Sequence, residues 1–187
     1  VTVLKRAAAK ISWPLSGFFN KFIELGTFPD ILKVGKITPV FKKGDAQMFD
    51  NYRPISILPI FGKIFEKIIY NRMYSFLTAF NVIHEKQFGF RKQHSTGHAI
   101  NYSVNKILYE LQKRNHVIGI FIDLSKAFDT IDHRKLLTKL EHYGIRGIAL
   151  QLLTSYLSNR KQYTNFNGTE SDVTTVKYGV PQGSVLG

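Results

Sequence analysis

Val117-Ile-Gly-Ile-Phe-Ile-Asp-Leu-Ser-Lys-Ala-Phe-Asp129 is the stretch on which the reading of this chain turns. Its first six residues, Val117–Ile122, are apolar apart from Gly119. An unbroken apolar run of that length predicts a strand covered on both faces. The run stops on Asp123. A carboxylate at the end of a buried strand needs a reason, because burying an unpaired charge is costly. Coordination of a hard cation such as Mg²⁺ is one reason. Capping of the following turn is the other, and position alone leaves both open. Ser125 stands two residues on, so a phosphatase with two Asp spaced by one residue is disfavoured.

On either side of this stretch the pattern is helical. Downstream, Asp132 is a candidate cap for a helix that Gly144 ends, and Ile148–Leu157 is a second helix. Gln162–Val180 reads as a hairpin around Asn167-Gly168. Upstream, a helix capped near Ser95 should bury Ala99, Ile100, Val104, Ile107, Leu108 and Leu111, and a polar, Gly-containing loop, Gln87–His94, precedes it. Ile60–Leu77 is strongly helical, with Ile60, Phe61, Ile64, Phe65, Ile68, Ile69 and Leu77 on one stripe. Val34–Phe41 reads as a strand, followed by a polar turn at Lys42–Asp50. Near the start, Ile11, Leu15, Phe18, Phe19, Phe22 and Ile23 share a helical face, with Gly26 and Pro29 as stop signals. The class is α+β, helices packed on a small sheet.

Composition narrows the function. Lys and Arg number 26 against 13 Asp and Glu, a net charge of +13. Residues 1–95 carry 15 of the basic residues and 6 of the acidic ones, so the excess is concentrated there. This balance points to a polyanionic partner, nucleic acid ahead of membrane. Hydrophobic residues make up 44%, enough for a packed core. The absence of Cys excludes disulfides and thiolate metal sites. No run approaches the roughly 18 apolar residues of a membrane span. His94 and His98 lie four apart, with no Cys or acidic third ligand nearby to make a zinc site. Both ends read as cuts.

Four blocks, in order, carry a family resemblance. Lys36-Ile-Thr-Pro-Val-Phe-Lys-Lys-Gly-Asp45 with Asn51-Tyr-Arg-Pro-Ile-Ser-Ile-Leu58 resembles the fingers signature of non-LTR (LINE-type, jockey-like) reverse transcriptases. Gln87-Phe-Gly-Phe-Arg91 resembles a further block. Phe121-Ile-Asp-Leu-Ser-Lys-Ala-Phe-Asp129 resembles their first palm motif, and Gly179-Val-Pro-Gln-Gly-Ser-Val-Leu-Gly187 their second. Each block is weak alone; their joint order is specific.

The resemblance implies a right-hand polymerase fold, truncated at the C-terminus. Residues 1–95 would be mostly fingers, and 96–187 the first part of a palm, a split β-α-β sheet backed by helices. It implies RNA-directed DNA polymerisation, in which a primer 3′-hydroxyl attacks an α-phosphate and two Mg²⁺ ions steady the entering and leaving oxygens. Asp123 would bridge both ions, joined by the backbone carbonyl of Leu124. Arg53 and Lys43, with Lys42 as the fallback, would clamp the triphosphate on a mobile hairpin, the planar Arg fork gripping two oxygens. Phe128 would sit beneath the sugar and exclude a 2′-hydroxyl. Gln182, where a turn enters a helix, would contact the incoming nucleotide, and Gly183 would permit close backbone approach. Arg91 would meet template or nucleotide phosphate, or else pack on the fingers surface. The implied partners are an RNA template, a DNA primer and deoxynucleoside triphosphates, with no membrane; the implied location is the nucleus and cytoplasm of a eukaryotic cell. Two competitors remain at this point: a group II intron maturase-type palm polymerase, and a non-catalytic nucleic-acid-binding remnant. The piece itself is expected to lack activity.

Overall fold

The structure, a computed structural model, describes residues 2–187. It resolves into two compact units. The first comprises the chain up to Met73 together with Lys126–Gly187, and the second is Tyr74–Ser125.

The first unit holds the sheet and the core. Helix α1 (Thr2–Glu24) leads to β1 (Val34–Phe41), which bends back through residues 42–51 into β2 (Tyr52–Ile57). The pair is antiparallel, with Ile37 opposite Ser56 and Val40 opposite Arg53. Pro54 explains why periodicity did not single out β2: a residue without an N–H belongs on an edge strand, and β2 lies at an edge of the sheet. Helix α2 (Ile60–Ala79) begins in this unit. After the second unit come α4 (His133–His142), α5 (Gly147–Leu157) and β3 (Lys161–Phe166), which runs parallel to β1 over Val34–Ile37. β3 turns through Asn167-Gly168, both at positive φ, into the short β4 (Thr169–Glu170), and β5 (Thr174–Thr175) pairs with the start of β3. Positive φ at both central residues is what a two-residue hairpin turn demands. The expected hairpin therefore forms, but strand pairing ends at Thr175 and Val176–Gly187 is irregular.

Phe65 is the centre of the core. Its ring stacks on Phe19 at 4.9 Å and on Phe28 at 5.0 Å, and Phe28 meets the Tyr156 ring edge-on at 5.1 Å. Leu152, Leu153 and Leu157 of α5, Ile69 of α2, and Ile37, Leu58 and Ile145 are buried as well. The helical stripes of α1 and α2 were legible, with exceptions: Phe18, expected on the buried face of α1, is exposed while Phe19 is buried, and Phe61 and Ile64 of the α2 stripe are exposed.

The second unit departs from expectation. It contains the end of α2, the loop 80–95 and α3 (Thr96–Gln112), capped as expected by Ser95, whose hydroxyl accepts the His98 N–H. It contains no strand. Val117–Ile122 has no regular structure, and Ile118, Ile120, Phe121 and Ile122 are exposed. The face of α3 expected to be buried is also open: Ile100, Val104, Ile107, Leu108 and Leu111 are all exposed, and α3 has no buried residue. The physical reason is shared. A two-sided strand needs neighbours for its main-chain N–H and C=O groups, and an amphipathic helix needs a layer to pack on. Among the described residues the strands all lie in the first unit, so unit Tyr74–Ser125 offers neither. Apolar patterning reports what a segment requires, not that the requirement is met. No helix among the described residues is long and apolar enough to cross a membrane.

Candidate functional site

Three sequence blocks meet in the first unit. Val180 N–H donates to the Phe128 carbonyl across 2.7 Å, and Gly179 N–H to the Ile131 carbonyl across 2.8 Å. His133 Nε2 lies 2.7 Å from the Gly179 carbonyl. On the other side, Ser56 N–H donates to the Gln182 carbonyl across 2.7 Å. The turn Gly179–Gly183 is thus held between the 128–133 segment and the outer edge of β2. Gly179 and Gly183 both have positive φ; a side chain would collide at Gly179 and be tightly crowded at Gly183. A Cβ on Gly179 would stand 2.6 Å from the Phe128 carbonyl oxygen, and one on Gly183 would stand 3.1 Å from that of Ser56. Close backbone approach is what glycine permits.

A cavity of about 340 Å³ lies beside this junction. Its walls include Ile37 of β1, Pro54 and Ser56 of β2, Asp129, and Pro181 and Gln182 of the turn. Arg53 belongs to the alternate set of β2 side chains, with Ile55 and Ile57, because successive strand residues point to opposite faces. It is exposed. Gly183 stands at the boundary between the two sets, near both the Ser56 carbonyl and Ile55 Cγ2.

Lys42 and Lys43 are exposed on the 42–51 connection. Its own hydrogen bonds shape that connection: Asn51 Nδ2 donates to the Asp45 carbonyl at 2.9 Å, Tyr52 Oη to the Ala46 carbonyl at 2.8 Å, and Lys42 N–H to the Asn51 carbonyl at 2.8 Å. Asp50 pairs with Lys126 at 3.1 Å, tying the connection to the segment just after Ser125. Phe128 is half-buried, as is Gln182. No helix follows Gln182. Residues 182–185 are a turn, closed by Ser184 N–H on the Pro181 carbonyl.

Asp123, Leu124 and Arg91 belong to the second unit. Asp123 is exposed rather than at the end of a buried strand, so the cost of burying its charge does not arise here. Arg91 Nη1 donates to the carbonyls of His84 and Glu85 at 3.1 and 3.3 Å, which fastens the loop that carries it. Among the described residues no three His, Cys, Asp or Glu side chains gather where they could hold a metal ion. The residues present therefore do not make a complete two-ion site. Asp123 and the Leu124 carbonyl are hard oxygen donors, but Mg²⁺ demands more of them.

Sequence reasoning passed over one polar cluster. Glu66 lies within the apolar stripe of α2 and is only 1% exposed. Its Oε2 accepts the Val185 N–H across 2.7 Å. Burial pushes its carboxyl above the ordinary range, while the Val185 N–H, the Arg160 charge and the Tyr156 hydroxyl draw it back. Arg160 is equally buried. Its Nη1 donates to the Tyr156 carbonyl at 3.1 Å, and its guanidinium lies 4.7 Å from the Tyr156 ring centroid. Burial pushes the Tyr156 hydroxyl up, and the Glu66 charge adds to it. The available signal was the Glu itself: an acid set next to Phe65 in an apolar helical run is rarely buried without a partner.

The junction of fingers-like and palm-like blocks defines a class, and the chain belongs to the reverse transcriptase (RNA-dependent DNA polymerase) family, whose model matches residues 40–187. Among its relatives, the RNA-directed DNA polymerase from mobile element jockey of Drosophila melanogaster is 35% identical over 174 residues, 92% of this chain and 19% of that protein. The jockey protein of Drosophila funebris is 36% identical over 170 residues, 90% of this chain and 18% of that protein. The probable RNA-directed DNA polymerase from transposon X-element of Drosophila melanogaster is 36% identical over 170 residues, again 90% of this chain and 19% of that protein. The chain spans about a fifth of the length of these curated relatives.

Proposed function

We propose that this chain is the nucleotide-binding part of an RNA-directed DNA polymerase of a non-LTR mobile element, which extends a DNA primer on an RNA template with deoxynucleoside triphosphates. The observation that carries the reading is the meeting of Phe128, the Gln182 turn and β2 in one unit, although they come from three separate blocks. A nucleotide has a base, a sugar and phosphates, and a site for it needs groups suited to each. Phe128 offers an aromatic surface to the sugar. Gln182 offers an amide that both donates and accepts. Arg53 and Lys43 are exposed cations for the triphosphate. Asp123 and the Leu124 carbonyl are the oxygen donors this chain brings toward the two Mg²⁺ ions of the family resemblance, which need further carboxylates beside them. Arg91 acts as a loop fastener in this reading.

Primer extension on an RNA template by the full-length protein tests the proposal. Wild-type protein should extend the primer, and Gln182→Ala should raise KM for the deoxynucleotide with the primer–template affinity unchanged. Nucleic-acid binding without any extension would leave only a non-catalytic binding role.

A further inference from the structure

Building on that reading, we propose that Glu66 is a positioning residue for the turn that carries Gln182. Besides the contacts at Gly179, three hydrogen bonds fasten the turn around Gln182. Val180 N–H binds the Phe128 carbonyl, the Gln182 carbonyl accepts the Ser56 N–H, and Val185 N–H binds Glu66 Oε2. The first two are main chain to main chain. The third depends on a side chain, as does the His133 contact with the Gly179 carbonyl at the other end of the turn. The Glu66 bond lies on the far side of Gln182 from His133, and substitution of Glu66 removes it without touching the turn itself.

The chemistry of the third fastener suits the role. A charged acceptor makes a stronger hydrogen bond to a backbone N–H than a neutral one does. Burial removes competing water, so the bond holds its geometry. Burial pushes the Glu66 carboxyl up, and the charge of Arg160, equally buried, draws it part of the way back. Arg160 in turn is anchored by the Tyr156 carbonyl and ring at the end of α5. α2 and α5 also meet around Phe28, whose ring packs on Phe65 of α2 and on Tyr156 of α5. Glu66 thereby transmits the position of the aromatic core to Val185, three residues from Gln182. If nucleotide binding depends on where the Gln182 amide stands, it depends on Glu66.

The test compares Glu66→Gln, Glu66→Ala and Ile69→Ala in the full-length polymerase. Ile69 is buried on the same helix and its aliphatic side chain can make no hydrogen bond, so it controls for lost stability. Hydrogen–deuterium exchange of the peptide containing Val185 reports whether the fastener survives. Steady-state primer extension gives KM for the deoxynucleotide and kcat, and melting gives Tm. Glu66→Ala should expose Val185 to exchange and raise KM about tenfold or more, as the loss of a charge-assisted bond warrants. Glu66→Gln should raise KM only to the extent that Val185 loses protection. Ile69→Ala should lower Tm without moving KM. A KM that follows Tm across all three variants, or a Val185 that exchanges freely in Glu66→Ala with KM unmoved, would overturn the proposal. If the wild-type protein extends no primer, the polymerase reading fails by itself, and unchanged Val185 protection in Glu66→Ala would still overturn the role of Glu66.

Discussion

Gly179 is pressed against the backbone of Asp129: a Cβ built on it would stand 2.8 Å from the Asp129 Cα and carbonyl oxygen, and 2.6 Å from the Phe128 oxygen. All three are main-chain atoms that cannot swing aside. The residue also sits at a φ of +80°. This contact fixes the distance between the residue proposed to sense the sugar and the turn proposed to touch the nucleotide. Gly179→Ala should therefore cost at least about 2 kcal/mol of stability, from left-handed backbone strain plus collision. Gly168→Ala is the control, with φ of +85° but open space around it, and should cost only about 1 kcal/mol. Denaturant unfolding of both variants decides the matter; equal losses would mean that the Gly179 contact adds nothing.

Phe128 is held in place by that same contact, and its ring is the proposed barrier to a 2′-hydroxyl. Replacing it with Ala removes the barrier without removing a hydrogen-bonding group. In the full-length polymerase, Phe128→Ala should lower the preference for deoxynucleotides over ribonucleotides by about tenfold or more. The measurement is kcat/KM for each nucleotide class on the same primer–template. A preserved ratio in a folded variant would reduce Phe128 to a packing residue.

The core makes a contrast with the segment that opened the reading. Phe65 is fully buried among Phe19, Phe22 and Phe28, whereas Phe121 is 97% exposed. Phe65→Ala should cost about 3–5 kcal/mol. Phe121→Ala should stay within about 0.5 kcal/mol in this chain. Chemical denaturation of the two variants checks both figures.

That contrast also marks where sequence was informative. The stripes of α1 and α2, the bounds of β1, the Ser95 and Asp132 caps and the Asn167-Gly168 turn are local signals, fixed by periodicity, capping and turn chemistry within a few residues. They appear in the structure, save that Phe18 of the α1 stripe and Phe61 and Ile64 of the α2 stripe are exposed. Val117–Ile122 and the apolar face of α3 needed a covering layer, and no local signal says whether one is supplied. Glu66 was missed for the opposite reason. Its partner Val185 is 119 positions away, and a buried acid inside an apolar stripe looks like a solvated face until the partner is known. At the candidate site, the shared substrate implied by the resemblance put Asp123, Phe128, Arg53, Lys43 and Gln182 around one cleft, and of these the first unit brings the Phe128 and Gln182 segments together. That their contact runs through main-chain atoms, with Gly179 as the pressure point, required coordinates.

The start of α4 provides a pH test of how the turn is anchored. Asp132 Oδ1 accepts the N–H groups of Arg134 at 2.8 Å and Lys135 at 3.1 Å, capping the helix. On either side of it, the Ile131 carbonyl receives the Gly179 N–H and His133 Nε2 reaches the Gly179 carbonyl. The Lys135 N–H, then the Arg134 N–H and the charges of both side chains, hold the Asp132 carboxyl below its ordinary value of 3.8. The folded chain thus releases this proton more readily than the unfolded chain does. Between the lowered folded value and 3.8 the unfolded state binds more protons, so stability rises with pH. The contribution of the cap is fully present above 3.8 and is lost as pH falls through the folded value. Asn caps a helix about as well and carries no titrating group there, so Asp132→Asn removes the pH dependence and keeps the cap. Acid titration of unfolding should show the wild type gaining on Asp132→Asn as pH rises through this window, with a constant difference above it. Because the cap and the Gly179 anchor share residues 131–133, exchange protection at Gly179 should weaken in wild type over the same window and not in Asp132→Asn. Curves that run parallel through the window would show that Asp132 does not hold its proton differently in the folded chain, and would separate the helix start from the anchoring of the turn.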